Sequence, residues 1–314
     1  MLSGTAFSLL LLAGGVVALY GGAELLVAGA GRLAMGFGLR AATVGVTVIA
    51  FATTAPELFV AVIGALTVGT DTGLGTIIGS NVANIGLVLG LSAIVKPLTV
   101  SETVMRRHVP FMVFAAVLLV VLGANGTIGR LEGAILLLTL AAFTGYLLYY
   151  VNADPAPVTD DPDGAEGVSL KDVALVLAGL VALVVGSRWL VEGGSSLLLA
   201  FGFPELFVGL TVLALGTSLP ELAASVVGAI RGETEFAIGN VVGSNIYNVV
   251  AVLGFVGIIT PISVSSATLR FELPVLVVFT VVLVAMMGYG RRLTRLDGVA
   301  LVAGYVTFIY LLVP

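Results

Sequence analysis

The sequence predicts an all-α membrane protein with ten transmembrane helices in two inverted five-helix repeats. Three observations carry that expectation. The chain of 314 residues is 59% hydrophobic and 10% charged, with a mean hydropathy of +1.19. That is more apolar surface than a water-soluble domain can hide, so the bilayer is the solvent. The apolar runs divide into ten segments of the length a span needs, about 20 residues at 1.5 Å rise each. Finally, the first half of the chain recurs in the second at a constant shift of 164 positions.

The spans are expected near residues 5–31, 41–66, 73–95, 107–124, 131–151, 170–198, 205–230, 236–259, 269–288 and 296–313. The opening stretch MLSGTAFSLLLLAGG has no basic n-region and no clear small-residue cleavage site, so it reads as the start of the first span. The polar segment NADPAPVTDDPDGAEG, Asn152–Gly167, is rich in Pro, Asp and Gly and reads as a flexible linker. It separates a first repeat (1–151) from a second (170–314), with residues 152–169 between them.

At the shift of 164, TTAPEL (Thr53–Leu58) falls on TSLPEL (Thr217–Leu222), and GSNVAN (Gly79–Asn84) on GSNIYN (Gly243–Asn248). Gly22, Phe37, Gly38, Gly45, Thr47, Pro97, Arg106 and Pro110 also meet identical residues. RLEG (Arg130–Gly133) matches RLDG (Arg295–Gly298) after one inserted residue. This is a duplication. An odd number of spans per copy inverts the second copy, and inverted repeats place a binding site near the midplane between them.

The basic residues give the orientation. With the N-terminus outside, Arg32, Arg40, Lys96, Arg106, Arg107, Lys171, Arg231, Arg291, Arg292 and Arg295 lie on the cytoplasmic side, against Arg130, Arg188 and Arg270 outside. The positive-inside rule therefore puts both termini outside a cell membrane and the linker 152–169 in the cytoplasm. The net charge of −5 argues against a nucleic-acid partner, and the absence of cysteine excludes disulfides and thiolate metal sites.

Glu57 and Glu221 are the ionisable residues deepest within the spans, at equivalent repeat positions. A carboxylate there is expensive unless paired, hydrated or protonated, so it marks a functional site before a packing role. Thr53 and Thr54 lie four and three residues before Glu57, on its helix face; Thr217 and Ser218 do the same for Glu221. Pro56 and Pro220 lack an N–H and release carbonyls one turn back, near Ala52 and Gly216. Ser80 and Asn84 are spaced i, i+4, as are Ser244 and Asn248. Asn81 and Asn245 beside them read either as ligands or as polar glue between helices. Gly75 with Gly79, and Gly239 with Gly243, form small-xxx-small pairs that permit close helix approach. Hydroxyls, loose carbonyls, amides and carboxylates together make a cage of hard oxygens, suited to Ca²⁺ and Na⁺ rather than to softer metals.

These motifs, TTAPEL…GSNVANIGLVLG and GTSLPEL…GNVVGSNIYNVVAVLG, resemble the two α-repeats of the cation/calcium exchanger superfamily, and most closely its prokaryotic sodium/calcium exchanger branch. The resemblance covers nearly the whole chain. It implies α-repeats at about 41–95 and 205–259 and ion sites between the second, third, seventh and eighth helices. Glu57 and Glu221 would be central Ca²⁺ ligands, with Thr53 and Thr217 beside them. Ser80, Ser244 and the main-chain carbonyls of Ala50 and Ala214 would serve Na⁺; Ser218 would add a contact, and Asn84 and Asn248 would line the middle. The chain departs from the family pattern at Ala52, where glycine is usual, at Thr54, where serine is usual, and at Asn248, where some relatives, including potassium-dependent exchangers, carry Asp.

The implied function is Na⁺/Ca²⁺ antiport without K⁺, with no cofactor beyond the transported ions, by a chain that works as a monomer in the lipid bilayer. Proton/calcium antiport is the alternative, although that branch favours a different motif around its glutamates. Intramembrane aspartyl proteases also pair two carboxylates, but as aspartates in other motifs. Channels usually build their pores from oligomer rings. Glu24, Arg188 and Glu192 on the long first and sixth helices read as snorkelling or gate salt-bridge residues, and His108 as interfacial.

Overall fold

The computed structural model describes residues 4–37, 41–67, 70–153, 169–202 and 216–312. Among these, helices are α1 (Gly4–Gly36), α2 (41–67), α3 (70–95), α4 (Val104–Gly123), α5 (Arg130–Ala153), α6 (Leu170–Ala200), α7 (Leu219–Arg231), α8 (Thr234–Ile259), α9 (Thr268–Gly288) and α10 (Arg295–Leu312). Among the described residues, eight stretches are long and apolar enough to cross a membrane: all of α1, α4, α6, α8, α9 and α10, Leu74–Val95 of α3 and Arg130–Tyr149 of α5. The expected seventh span falls partly outside the described residues. Side chains such as Leu10 and Val17 on α1, Leu138 on α5, Val281 on α9 and Tyr310 on α10 are exposed, an arrangement that suits lipid and not water.

α3 and α8 are the most enclosed helices. Each is interrupted at its centre by a π-helical turn, Asn84–Leu89 and Asn248–Leu253. Two further π turns, Val104–His108 and Thr268–Glu272, open α4 and α9. These pairs sit at matching repeat positions. α4 therefore starts before the expected 107, with its π turn just ahead of Pro110.

Four short strands join the two sequence repeats. β1 (Leu98–Thr99) pairs with β4 (Arg292–Leu293), and β2 (Thr127–Ile128) with β3 (Ile262–Ser263), both antiparallel. The last turns of α3 pack on α10 and those of α8 on α5. Both contacts are glycine-mediated: a Cβ at Gly133 would stand 2.9 Å from the Gly254 carbonyl oxygen, and one at Gly90 would stand 3.1 Å from that of Gly298.

α1 and α6 make the longest helix–helix contact of the fold. Gly15, Gly22 and Gly29 recur every seven residues on α1, and Gly179, Gly186 and Gly193 do so on α6. Gly15 abuts Gly186, Gly22 abuts Gly179, Gly29 abuts Asp172 and Val176, and Gly193 abuts Ser8. The two helices thus run antiparallel with backbone close to backbone, as small residues permit in a membrane. Ser169 caps α6, accepting from the Lys171 N–H at 3.1 Å, while Asp172 accepts from the Ser169 N–H at 3.2 Å. Among the described residues, α1, α6, α7 and the start of α2 share one apolar cluster, and most of the other helices share a second, larger one.

Candidate ion-binding site

α2, α3, α7 and α8 pack against one another, and every described site residue expected from the sequence lies on them or on the turn that leads into α7. The two repeats deliver their motifs differently. In the first, Thr53, Thr54 and Glu57 lie inside a continuous helix, Ala50–Thr67, preceded by a π turn at Gly45–Ile49. In the second, the helix is broken: Thr217 and Ser218 form a turn, and α7 begins at Leu219 with Pro220 in its first turn. The expectation of unbroken helix through residue 230 is corrected there. Proline suits a helix start, and Ser218 takes the cap position.

The released carbonyl expected at Gly216 is captured, since the Ser187 hydroxyl of α6 donates to it. A Cβ at Gly216 would run into the Val191 side chain, which would have to shift to admit it. The first-repeat equivalents are Ala23 and Ala52, so that link has no counterpart.

Glu57 and Glu221 are 2% and 1% exposed and lie close enough to interact electrostatically. Thr53 is 1% exposed and faces the second repeat. Its hydroxyl also lies 3.1 Å from the Ile49 carbonyl oxygen, 3.3 Å from that of Ala50 and 3.4 Å from Asn240 Oδ1. Thr54, Ser80, Asn84, Ser218, Ser244, Asn248 and Ala50 are likewise buried, and Thr217 is half-buried. Ala214, expected to offer a main-chain carbonyl, lies outside the described residues.

Nine of these side chains keep a buried oxygen without a partner among the described residues: Thr54 Oγ1, Glu57 Oε2, Ser80 Oγ, Asn84 Oδ1, Thr217 Oγ1, Ser218 Oγ, Glu221 Oε2, Ser244 Oγ and Asn248 Oδ1. Leaving one buried polar atom unsatisfied costs about 1–3 kcal/mol. Nine of them on helices that pack against one another make a poor structural element and mark a candidate cation site. All are hard oxygens; among the described residues no group of three or more His, Cys, Asp or Glu side chains forms a softer or purely anionic centre.

Sequence reasoning missed Asn240. Fully buried on α8, it faces Thr53 across the repeats and donates to the Ser225 hydroxyl at 3.0 Å and the Glu221 carbonyl oxygen at 3.4 Å. Its position four residues before Ser244, on the same helix face, was the available signal; the repeat comparison hid it because the equivalent residue is Thr76.

The glycine pairs divide. Gly243 makes a close approach, with its Cβ direction 2.6 Å from the Val46 carbonyl oxygen, whereas no described atom comes within 4 Å of a Cβ at Gly79. His108, expected at an interface, is instead buried within the π turn that packs on α8. Glu24 forms an ion pair with Arg231, linking α1 to the end of α7.

Comparison with known proteins agrees with this geometry. The sodium/calcium exchanger protein family matches residues 7–149 and 171–313. The chain is 32% identical over 278 residues to the inner membrane protein YrbG of Escherichia coli, covering 86% of this chain and 85% of that one. It is 29% identical over 310 residues to the sodium/calcium exchanger MaX1 of Methanosarcina acetivorans, covering 86% and 88%. The solved structure of the sodium-calcium exchanger NCX_Mj soaked with 10 mM Na⁺ and zero Ca²⁺ superposes with a TM-score of 0.83 at 28% identity, over 98% of this chain and 99% of that one. A membrane-spanning, almost wholly helical chain with paired oxygen-rich motifs thus belongs to the sodium/calcium exchanger protein family.

Proposed function

We propose that this chain is a secondary antiporter that exchanges Na⁺ for Ca²⁺ by alternating access, without K⁺. The observation that carries the reading is the set of seven hydroxyl and amide oxygens, unpartnered among the described residues, that accompany two buried carboxylates. With both glutamates ionised the cage carries two negative charges. One Ca²⁺ or two Na⁺ neutralise it, and a third Na⁺ leaves one positive charge, which makes three-for-one exchange electrogenic. Moving an empty, doubly charged cage through a low-dielectric barrier is costly, so loaded forms switch sides and the empty form does not. That barrier separates exchange from leak. Asn248, an amide where a carboxylate would add a third charge, keeps the tally at two and supports independence from K⁺.

The site residues in this reading are Glu57 and Glu221 for Ca²⁺, with Thr53, Thr54, Thr217, Ser218, Asn84 and Asn248 around them. Ser80, Ser244 and the carbonyls of Ala50 and Ala214 serve Na⁺. Ten spans in two inverted five-helix repeats, 1–151 and 170–314, frame the site. The antiparallel packing of α1 against α6, which are repeat equivalents, supports that inversion. Lys96, Arg106, Arg107, Arg291, Arg292 and Arg295 gather at the β1–β4 end, and Arg130 and Arg270 at the β2–β3 end. This supports a cytoplasmic β1–β4 face, outside termini and a cytoplasmic linker at 152–169. Both halves of the cage come from one chain, which supports a functional monomer in the cell membrane.

The test is ⁴⁵Ca²⁺ uptake into proteoliposomes with Na⁺, K⁺ and H⁺ gradients varied one at a time. Uptake should follow an outward Na⁺ gradient, generate a membrane potential and ignore K⁺. Uptake driven only by a pH gradient would overturn the Na⁺ assignment, and gradient-independent flux at channel rates would overturn antiport.

A further inference from the structure

Three asparagines are linked where α3 packs on α8, and their hydrogen bonds are not symmetric. Asn81, Asn245 and Asn248 are all buried. The Asn81 side-chain N–H donates to the main-chain oxygen of Asn245 at 3.3 Å, and Asn248 donates its own N–H to Asn81 Oδ1 at 2.9 Å. Asn245, the repeat equivalent of Asn81, turns the other way and donates to the Val241 carbonyl of its own helix at 2.9 Å. Asn81 is therefore clamped on α8 at both ends of its amide, whereas the described hydrogen bond from the Asn245 amide stays within α8.

A carboxamide has two faces that a cation distinguishes. Its oxygen is a ligand; its NH₂ repels a cation. The amide is planar, so fixing the nitrogen in one hydrogen bond fixes the direction of the oxygen. Asn248 Nδ2 is held by Asn81, and Asn248 Oδ1 is left buried without a protein partner among the cage oxygens. If Asn81 could not accept that bond, the Asn248 amide would rotate freely between a face that binds an ion and a face that rejects it.

We propose that Asn81 is a positioning residue for ion binding, holding the Asn248 amide with its oxygen and not its NH₂ toward the cage. The inference rests on the exchanger reading of the site. It gives Asn81 a role that neither ligation nor plain interhelical packing describes: it sets the polarity of a neighbour's amide. The second bond, to the Asn245 main chain, keeps Asn81 itself from rotating.

The test is a double-mutant cycle read by Na⁺-driven ⁴⁵Ca²⁺ uptake. Asn81→Ala should raise the half-saturating Ca²⁺ concentration about five- to tenfold, the size of one lost hydrogen bond, with little change in maximal rate. In an Asn248→Asp background both ends of residue 248 are oxygens and no orientation is needed, so Asn81→Ala should change that concentration less than about twofold. Equal fold-changes in the two backgrounds mean additivity and a purely structural role, and would overturn the proposal. If the parent chain shows no Na⁺-driven uptake, the exchanger reading itself fails; a parent that transports with an additive cycle removes only the role of Asn81.

Discussion

Gly21 and Gly22 are neighbours on α1, and the fold treats them oppositely. A Cβ at Gly22 would stand 2.9 Å from the Gly179 carbonyl oxygen, 2.9 Å from the Leu183 nitrogen and 2.9 Å from the Ala182 Cβ. Two of these are main-chain atoms that cannot rotate away. An ordinary carbon contact needs about 3.5 Å, so Gly22→Ala forces α1 and α6 apart by roughly half an ångström. The antiparallel register spreads that gap along the seam to the buried Leu19, Leu26, Val176 and Leu183, each of which loses part of its dispersion contact. Overpacking of this kind costs about 1–3 kcal/mol, or about 2–6 °C in melting temperature for a chain of this size. A Cβ at Gly21 meets nothing within 4 Å, so Gly21→Ala keeps only the helix-propensity gain of up to about 1 kcal/mol. Differential scanning fluorimetry of the purified variants should show Gly22→Ala melting below the parent and Gly21→Ala at or above it. Equal shifts in the two would refute the backbone-contact account of the α1–α6 seam.

Further outcomes follow from the site and its supports. Glu57→Gln and Glu221→Gln each unbalance a buried charge against Ca²⁺, a loss of about 3 kcal/mol or more, so uptake should fall at least about 100-fold; normal transport by either variant would sink the site. Ser187→Ala leaves the Gly216 carbonyl unsatisfied and should cost about 1–3 kcal/mol in thermal stability. Ala23→Ser at the equivalent position of α1 should not raise stability by a matching amount, because Ala52, the equivalent of Gly216, lies in an unbroken helix. Glu24→Gln should cost under about 1 kcal/mol, since the Glu24 and Arg231 side chains are 30% and 39% exposed and water screens them. Asn240→Ala removes the group that spans Thr53 and Glu221, and should weaken Ca²⁺ affinity with a smaller effect on folding, read as a rise in half-saturating Ca²⁺.

The parts of this molecule that could be read from the sequence are those where the duplication states the same thing twice. Glu57 and Glu221 stand out because a buried carboxylate is costly, and one recurring at the same shift inside the same polar motif is hard to explain by packing. The hydroxyls and amides around them follow from helical spacing alone. What the sequence hid are features that break the repeat or need the third dimension. Pro56 and Pro220 are equivalent, yet only Pro220 sits at a helix start, and nothing local in the two motifs distinguishes them. Asn240 was masked because its twin is a threonine. The π turns at Asn84 and Asn248 leave no propensity signal, since one extra residue in a turn is decided by packing against neighbours. His108 lies in such a turn and is buried.

The two strand pairs each take one strand from before residue 152 and one from after residue 169, as do the contacts of α1 with α6, α3 with α10 and α8 with α5. In assembly terms the molecule is a heterodimer whose subunits share one polypeptide. Joined in one chain, each half is held at a high effective concentration near the other, and the seams supply the affinity. Two polypeptides ending and beginning at the linker, made in the same membrane, should find each other and rebuild the cage between them.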